Sequence, residues 1–163
     1  MKHKILKGVS VAENKEDGYV KAVISTFNVK DRDGDVLLPG SIPNNYPVKM
    51  ASWGHKWEQL AIGKGVITTT DEEAIFEGKF FLDTEAGREA YTTVKNLGEL
   101  QEWSWGFSVP EGGAYTKRSE DGSVTTFITD TEPYEVSPVL VGANPKTGTI
   151  AIKSLQEKVE ELE

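Results

Sequence analysis

Two residues in this chain could together perform nucleophilic chemistry near neutral pH, His55 and Ser104. Only two histidines occur, and the other, His3, lies in an N-terminal stretch that reads as frayed. Imidazole is the side chain whose unperturbed titration falls in the neutral range, so a general base at that pH falls to His55. A serine hydroxyl is a weak nucleophile until a neighbouring imidazole takes its proton, and that imidazole needs a third group to fix its tautomer. Ser104 stands in Trp103-Ser104-Trp105-Gly106-Phe107-Ser108, where a glycine two positions on lets backbone N–H groups approach a developing oxyanion. Glu135, in Tyr134-Glu135-Val136-Ser137, offers the orienting carboxylate. The four tryptophans all flank His55 or Ser104.

Each of these residues has a plainer reading. A histidine between tryptophans can be a hydrogen-bonded core residue, a strand serine can face solvent, and a strand glutamate ordinarily points outward. Other motifs fail on their own chemistry. Asp31, Asp33 and Asp35 resemble a calcium loop, but the sixth position is Val36 rather than glycine and the twelfth is Ile42 rather than a bidentate glutamate, so the triplet is read as a turn. Gly63-Lys64-Gly65 lacks the upstream glycine and the following Ser or Thr of a phosphate loop. Glu102 stands where a nucleophile elbow needs glycine.

The elements that must hold these residues are mostly strands. Tyr19 to Phe27 reads as a strand buried on both faces, and Asp31 to Asp35 turns the chain into a short strand at Val36 to Leu38. Ser41 to Val48, rich in Pro and Asn, reads as irregular. Strands are expected at 61–69, 74–82, 103–109, 124–129, 134–141 and 149–153. One long internal helix is expected from Thr84 to Leu97, with Asp83 as N-cap, Glu85 in the first turn, Gly98 at C′ and an apolar stripe of Ala86, Ala90, Val94 and Leu97. Residues 154–163 change character, with Leu155, Val159 and Leu162 at helical spacing. They read as a C-terminal helix, either docked or the start of an acidic extension.

A chain of 163 residues without internal repeats fits one domain, residues 1–153, that buries ~70% of its unfolded surface. Zero cysteines exclude a disulfide framework, a thiol nucleophile and cysteine-based metal sites. A net charge of -8 with scattered lysines argues against nucleic acid, and no apolar run approaches a membrane span. The expectation is a soluble cytoplasmic protein.

The ordered segments Ser25-Thr26-Phe27, Asp33-Gly34-Asp35, Leu38-Pro39-Gly40-Ser41, His55, Ile62-Gly63-Lys64, Leu82 to Tyr91 (LDTEAGREAY), Ser104-Trp105-Gly106-Phe107, Tyr134 to Val139 (YEVSPV) and Ala143-Asn144-Pro145 resemble the HK97-type prohead proteases of tailed bacteriophages. That resemblance implies an α+β fold similar to herpesvirus assemblins: a compact, mostly antiparallel β-barrel with helices packed around it. It implies a serine endopeptidase in which His55 matches the catalytic histidine, Ser104 the nucleophile and Glu135 the carboxylate of the YEVS segment. Assemblins use a second histidine in that third role. The implied substrates are the major capsid protein, the scaffolding protein and the protease itself by autocleavage. The implied setting is the host cytoplasm inside the assembling prohead, with no cofactor, no metal, no nucleic acid and no membrane, and a homo-oligomer left open.

The chain departs from the family pattern at Trp103 and Trp105, which replace smaller apolar residues and would narrow a substrate groove. Lys56 replaces a commonly acidic residue, and Gly142 replaces a frequent proline. Two other classes stay open: an inactive scaffolding component of the same assembly, and a β-type ligand-binding module that uses the tryptophans as stacking platforms.

Overall fold

The computed structural model describes residues 10–11, 16–144 and 146–152; His3 and the expected C-terminal helix at 154–163 lie outside them. In chain order the strands are β1 (Ser10–Val11), β2 (Tyr19–Thr26), β3 (Asp35–Leu37), β4 (Tyr46–Met50), β5 (Gly63–Thr69) and β6 (Glu73–Phe80). After helix α1 (Glu85–Leu97) come β7 (Glu102–Ser108), β8 (Ala114–Arg118), β9 (Val124–Ile128), β10 (Glu132–Val139) and β11 (Gly148–Ile152). Eight of them form one sheet in the order β1-β11-β2-β6-β5-β4-β10-β7, and β3-β9-β8 form a smaller one.

The large sheet is mostly antiparallel, but β4 pairs with β10 in parallel, as do β1 with β11 and β3 with β9. It is a curled half-barrel, in keeping with the mostly antiparallel β architecture and the α+β class expected. The curl is visible in the hydrogen bonds of β7, the strand at one end of the order. The Trp103 N–H donates to the Thr147 hydroxyl at 3.0 Å, and its indole N–H donates to the Thr149 hydroxyl of β11, second from the other end, at 3.0 Å. A buried indole N–H without such a partner would cost about 1–3 kcal/mol, so the two threonines fix where the sheet bends back.

β2 buries alternate residues rather than both faces, with Val20, Ala22 and Ile24 fully enclosed and a register shift between Val23 and Ser25. One side of β2 meets the core and the other is half covered, which is the alternation a curled sheet imposes. The core centres on Trp103, Phe76, Phe80, Ile24, Met50 and Ile67.

Two strands depart from the sequence expectation. Tyr46–Met50, whose first three residues fall in the stretch expected to be irregular, forms β4; Pro47 is tolerated because β10 joins β4 only from Lys49, leaving Pro47 with β5 alone beside it. Ala114–Arg118, exposed throughout, forms β8 by pairing with β9.

The helix begins one residue later than expected. Thr84, not Asp83, is its N-cap, accepting the Gly87 N–H at 3.0 Å, and Gly98 ends it at φ 54°. Its buried face is Gly87, Ala90, Tyr91 and Val94, so Ala90 and Val94 are buried as expected, while Gly87 and Tyr91 take the places expected of Ala86, which is exposed, and Leu97. Gly87 is required there, since a Cβ would strike the Phe81 carbonyl of the chain beneath.

Among the described residues no helix is long and apolar enough to cross a membrane, and no three His, Asp or Glu side chains group as a metal would need.

Candidate active site

The site is built on the pair β7–β10, whose register sets Ser104 opposite Ser137 and Gly106 opposite Glu135. Residues paired across a sheet share a face, so these four look one way while Trp103, Trp105 and Val136 look into the core. Over the first face lies the chain that leaves β4. Its backbone is tied to β10 by Ala51 N–H to the Val136 carbonyl at 2.8 Å and Gly54 N–H to the Pro138 carbonyl at 3.1 Å.

This tie delivers His55. Its backbone is in the left-handed region at φ 62°, uncommon outside glycine, and Gly54 before it is at φ 73°. Two successive left-handed residues turn the chain sharply enough to drop the imidazole onto β10. His55 Nδ1 lies 2.5 Å from Glu135 Oε2 and 3.0 Å from the Ser137 hydroxyl. With its proton on Nδ1, the ring donates to the carboxylate and holds one tautomer, and Nε2 has no partner among the described residues.

Glu135 is only 4% exposed, so the plain reading of an outward strand glutamate does not hold. The second carboxylate oxygen, Oε1, is buried without a partner. Gly106 makes room for this carboxylate. A Cβ at 106 would collide with Glu135 Oε2 and stand 2.8 Å from the Trp57 ring. The glycine is therefore a recess for the orienting group.

The backbone amides on either side of Gly106 point in alternate directions. Trp103 sends its N–H away from β10, to Thr147, and in an antiparallel pair outward and inward residues alternate. Ser104 and Gly106 then turn their N–H groups inward to Ser137 and Glu135, where they are consumed. The outward amide nearest the serine is that of Trp105.

Ser104 and His55 line one cavity of about 350 Å³. No hydrogen bond joins the two side chains, and Ser104 is half-buried where Ser137 is fully buried. A nucleophile must reach a polypeptide, which favours Ser104 over Ser137. Ser137 was not anticipated from sequence; its one signal is the i, i+2 spacing from Glu135, which puts both on the same face.

The tryptophans do not form a stacking line. Trp103 is fully buried, Trp105 is 7% exposed, Trp53 packs against the core, and only Trp57 is open, edge-on to Tyr134 at 6.2 Å between ring centres. A binding module built on four exposed tryptophans is ruled out by that burial.

Asp31, Asp33 and Asp35 form the expected turn, with Asp31 Oδ1 accepting the N–H groups of Asp33 and Asp35, both at 2.9 Å. Unexpectedly, all three also line the cavity that holds Ser104 and His55. The Asp35 carboxyl is raised from its ordinary value by burial first, then by repulsion from Asp31 and Asp33.

The family of caudovirus prohead serine proteases matches the chain over residues 7–162. The chain is also similar to the prohead protease of Enterobacteria phage HK97, 28% identical over 154 residues that cover 91% of this chain and 67% of that protein. No solved structure matches the chain. Since the family match runs through every strand of the described half-barrel, the chain belongs to the caudovirus prohead serine proteases.

Proposed function

We propose that this chain is an endopeptidase of prohead maturation in which Ser104 is the nucleophile, His55 the general base and Glu135 the group that orients it. The observation that carries the reading is the 2.5 Å contact between His55 Nδ1 and Glu135 Oε2, which leaves Nε2 for a hydroxyl in the shared cavity. The half-barrel with one packed helix is consistent with an assemblin-like fold, with a carboxylate in the place of the second histidine. The proposed substrates are the capsid and scaffolding proteins of the assembling prohead and the protease itself.

In the first step the Ser104 proton passes to His55 Nε2 while Oγ bonds to the peptide carbonyl carbon, and the charge moves to the carbonyl oxygen. The outward N–H of Trp105 is the donor proposed for that oxyanion. Collapse breaks the C–N bond, and the imidazolium returns its proton to the leaving amine. A water molecule, deprotonated by the same nitrogen, then releases the acyl group and restores Ser104.

One observation favours a second reading, an inactive structural component: Ser104 makes no hydrogen bond to His55 in this geometry. Catalytic hydrogen bonds are often long before substrate binds, so the two readings part on activity. Wild type and Ser104→Ala, each expressed with the major capsid protein and their products weighed by mass spectrometry, decide between them. Fragments that appear with wild type alone support the first reading, and identical products overturn it.

A further inference from the structure

We propose that the cavity beside Ser104 and His55 is a specificity pocket for a lysine or arginine side chain of the polypeptide substrate. This rests on the reading of Ser104 as nucleophile and adds the substrate chemistry to it.

Charge is the first argument. Asp31, Asp33 and Asp35 all line the cavity, and among the described residues none of them forms an ion pair. Of the two cations adjoining the turn in sequence, Arg32 donates to the Gly142 carbonyl and to Glu102 Oε1, and Lys30 lowers the titration of Asp121 rather than that of Asp35. Three carboxylates on one short turn repel one another, and an incoming cation relieves that. Asp35 titrates above its ordinary value through burial first and through this repulsion second.

A second and independent argument is an unsatisfied hydroxyl. Ser25 is fully buried, lines the same cavity, and its Oγ has no hydrogen-bond partner. Buried polar groups without partners are rare in folded proteins, and this one belongs to a residue of the cavity lining. A serine hydroxyl can accept a hydrogen bond as well as donate one, so it can take one from an ammonium or guanidinium tip.

The remaining lining fits the stem of such a side chain. Trp105 and Phe107, stacked with ring centres 4.0 Å apart, contribute apolar atoms to the cavity lining. Long basic side chains bury an apolar stem while the charged tip finds polar partners. A cavity of about 350 Å³ is large enough for one side chain and not for a folded partner.

The test uses the full chain and pooled random hexapeptides in two measurements. Peptides retained by the Ser104→Ala chain are sequenced by mass spectrometry, and peptides cut by the wild-type chain are sequenced at their new ends. Lysine or arginine should be enriched about tenfold at one position in both, and the paired change Asp33→Asn with Asp35→Asn should remove most of that enrichment. No basic enrichment among retained peptides, or enrichment untouched by the two substitutions, overturns the proposal. Cutting that persists in the Ser104→Ala chain overturns the nucleophile assignment instead, and leaves the retention result to judge the pocket by itself.

Discussion

His55 Nδ1 and Glu135 Oε2 meet at 2.5 Å although the two residues are 80 positions apart in the chain. The contact spends one ring nitrogen on a buried carboxylate and frees the other. Replacing Glu135 by glutamine keeps the volume but presents an amide, whose N–H can force the opposite tautomer. Glu135→Gln is expected to lower kcat/KM for capsid-protein cleavage by roughly 10²–10⁴-fold while the circular dichroism spectrum is unchanged. A variant as fast as wild type would remove Glu135 from the mechanism.

Ser137 shares Nδ1 with Glu135 at 3.0 Å, and it is the residue most readily mistaken for the nucleophile. Because its hydroxyl is fully buried and only steadies the ring, Ser137→Ala should cost one neutral hydrogen bond, about tenfold in kcat/KM or less. Labelling by a fluorophosphonate should persist in Ser137→Ala and vanish in Ser104→Ala. The reverse pattern would exchange the two assignments.

Gly106→Ala places a methyl against the Glu135 carboxylate and the Trp57 ring. Overpacking of this kind costs about 1–3 kcal/mol, so the melting temperature should fall. Since relief comes by pushing Glu135 off the imidazole, activity should fall further than stability predicts, and Gly106→Ser should behave alike. Normal activity with normal melting would mean that the recess is not needed.

Asp35 titrates above its ordinary value of 3.8 because the folded chain half-buries it beside Asp31 and Asp33. For an acid whose folded value is raised, the folded state binds the proton more tightly, so stability from this group is present below pH 3.8 and is lost as pH rises through the raised value. At pH 7 the charged group therefore opposes folding. Asp35→Asn should melt higher than wild type at pH 7, with the difference shrinking as pH falls toward 3.8 in paired thermal scans. If the cavity takes basic side chains, the same substitution gains stability where it loses selectivity.

The sequence revealed the local features of this fold better than the long-range ones. Helix α1 was legible because caps and apolar period act within a few residues, and Ala90 and Val94 are buried as expected, although a buried glycine at 87 left no apolar mark. Strand β4 was hidden by Pro47, whose acceptability depends on β10 joining two residues later, a fact no local pattern contains. His55 stood out by scarcity. Glu135 looked like any outward strand glutamate until the chain from 51 to 57 was seen to cover it. The acidic turn was recognisable as a turn, but that it opens onto the cavity follows from the curl of the sheet.

Strand β10 lies between β4 and β7 in the sheet, yet it is made after both. A growing chain that has reached residue 130 already contains His55 and Ser104, but it lacks the strand that supports the histidine's loop on one side and the serine's strand on the other. Contacts of such long sequence separation form late. The order of synthesis therefore leaves His55 and Ser104 without their shared support until β10 has been made.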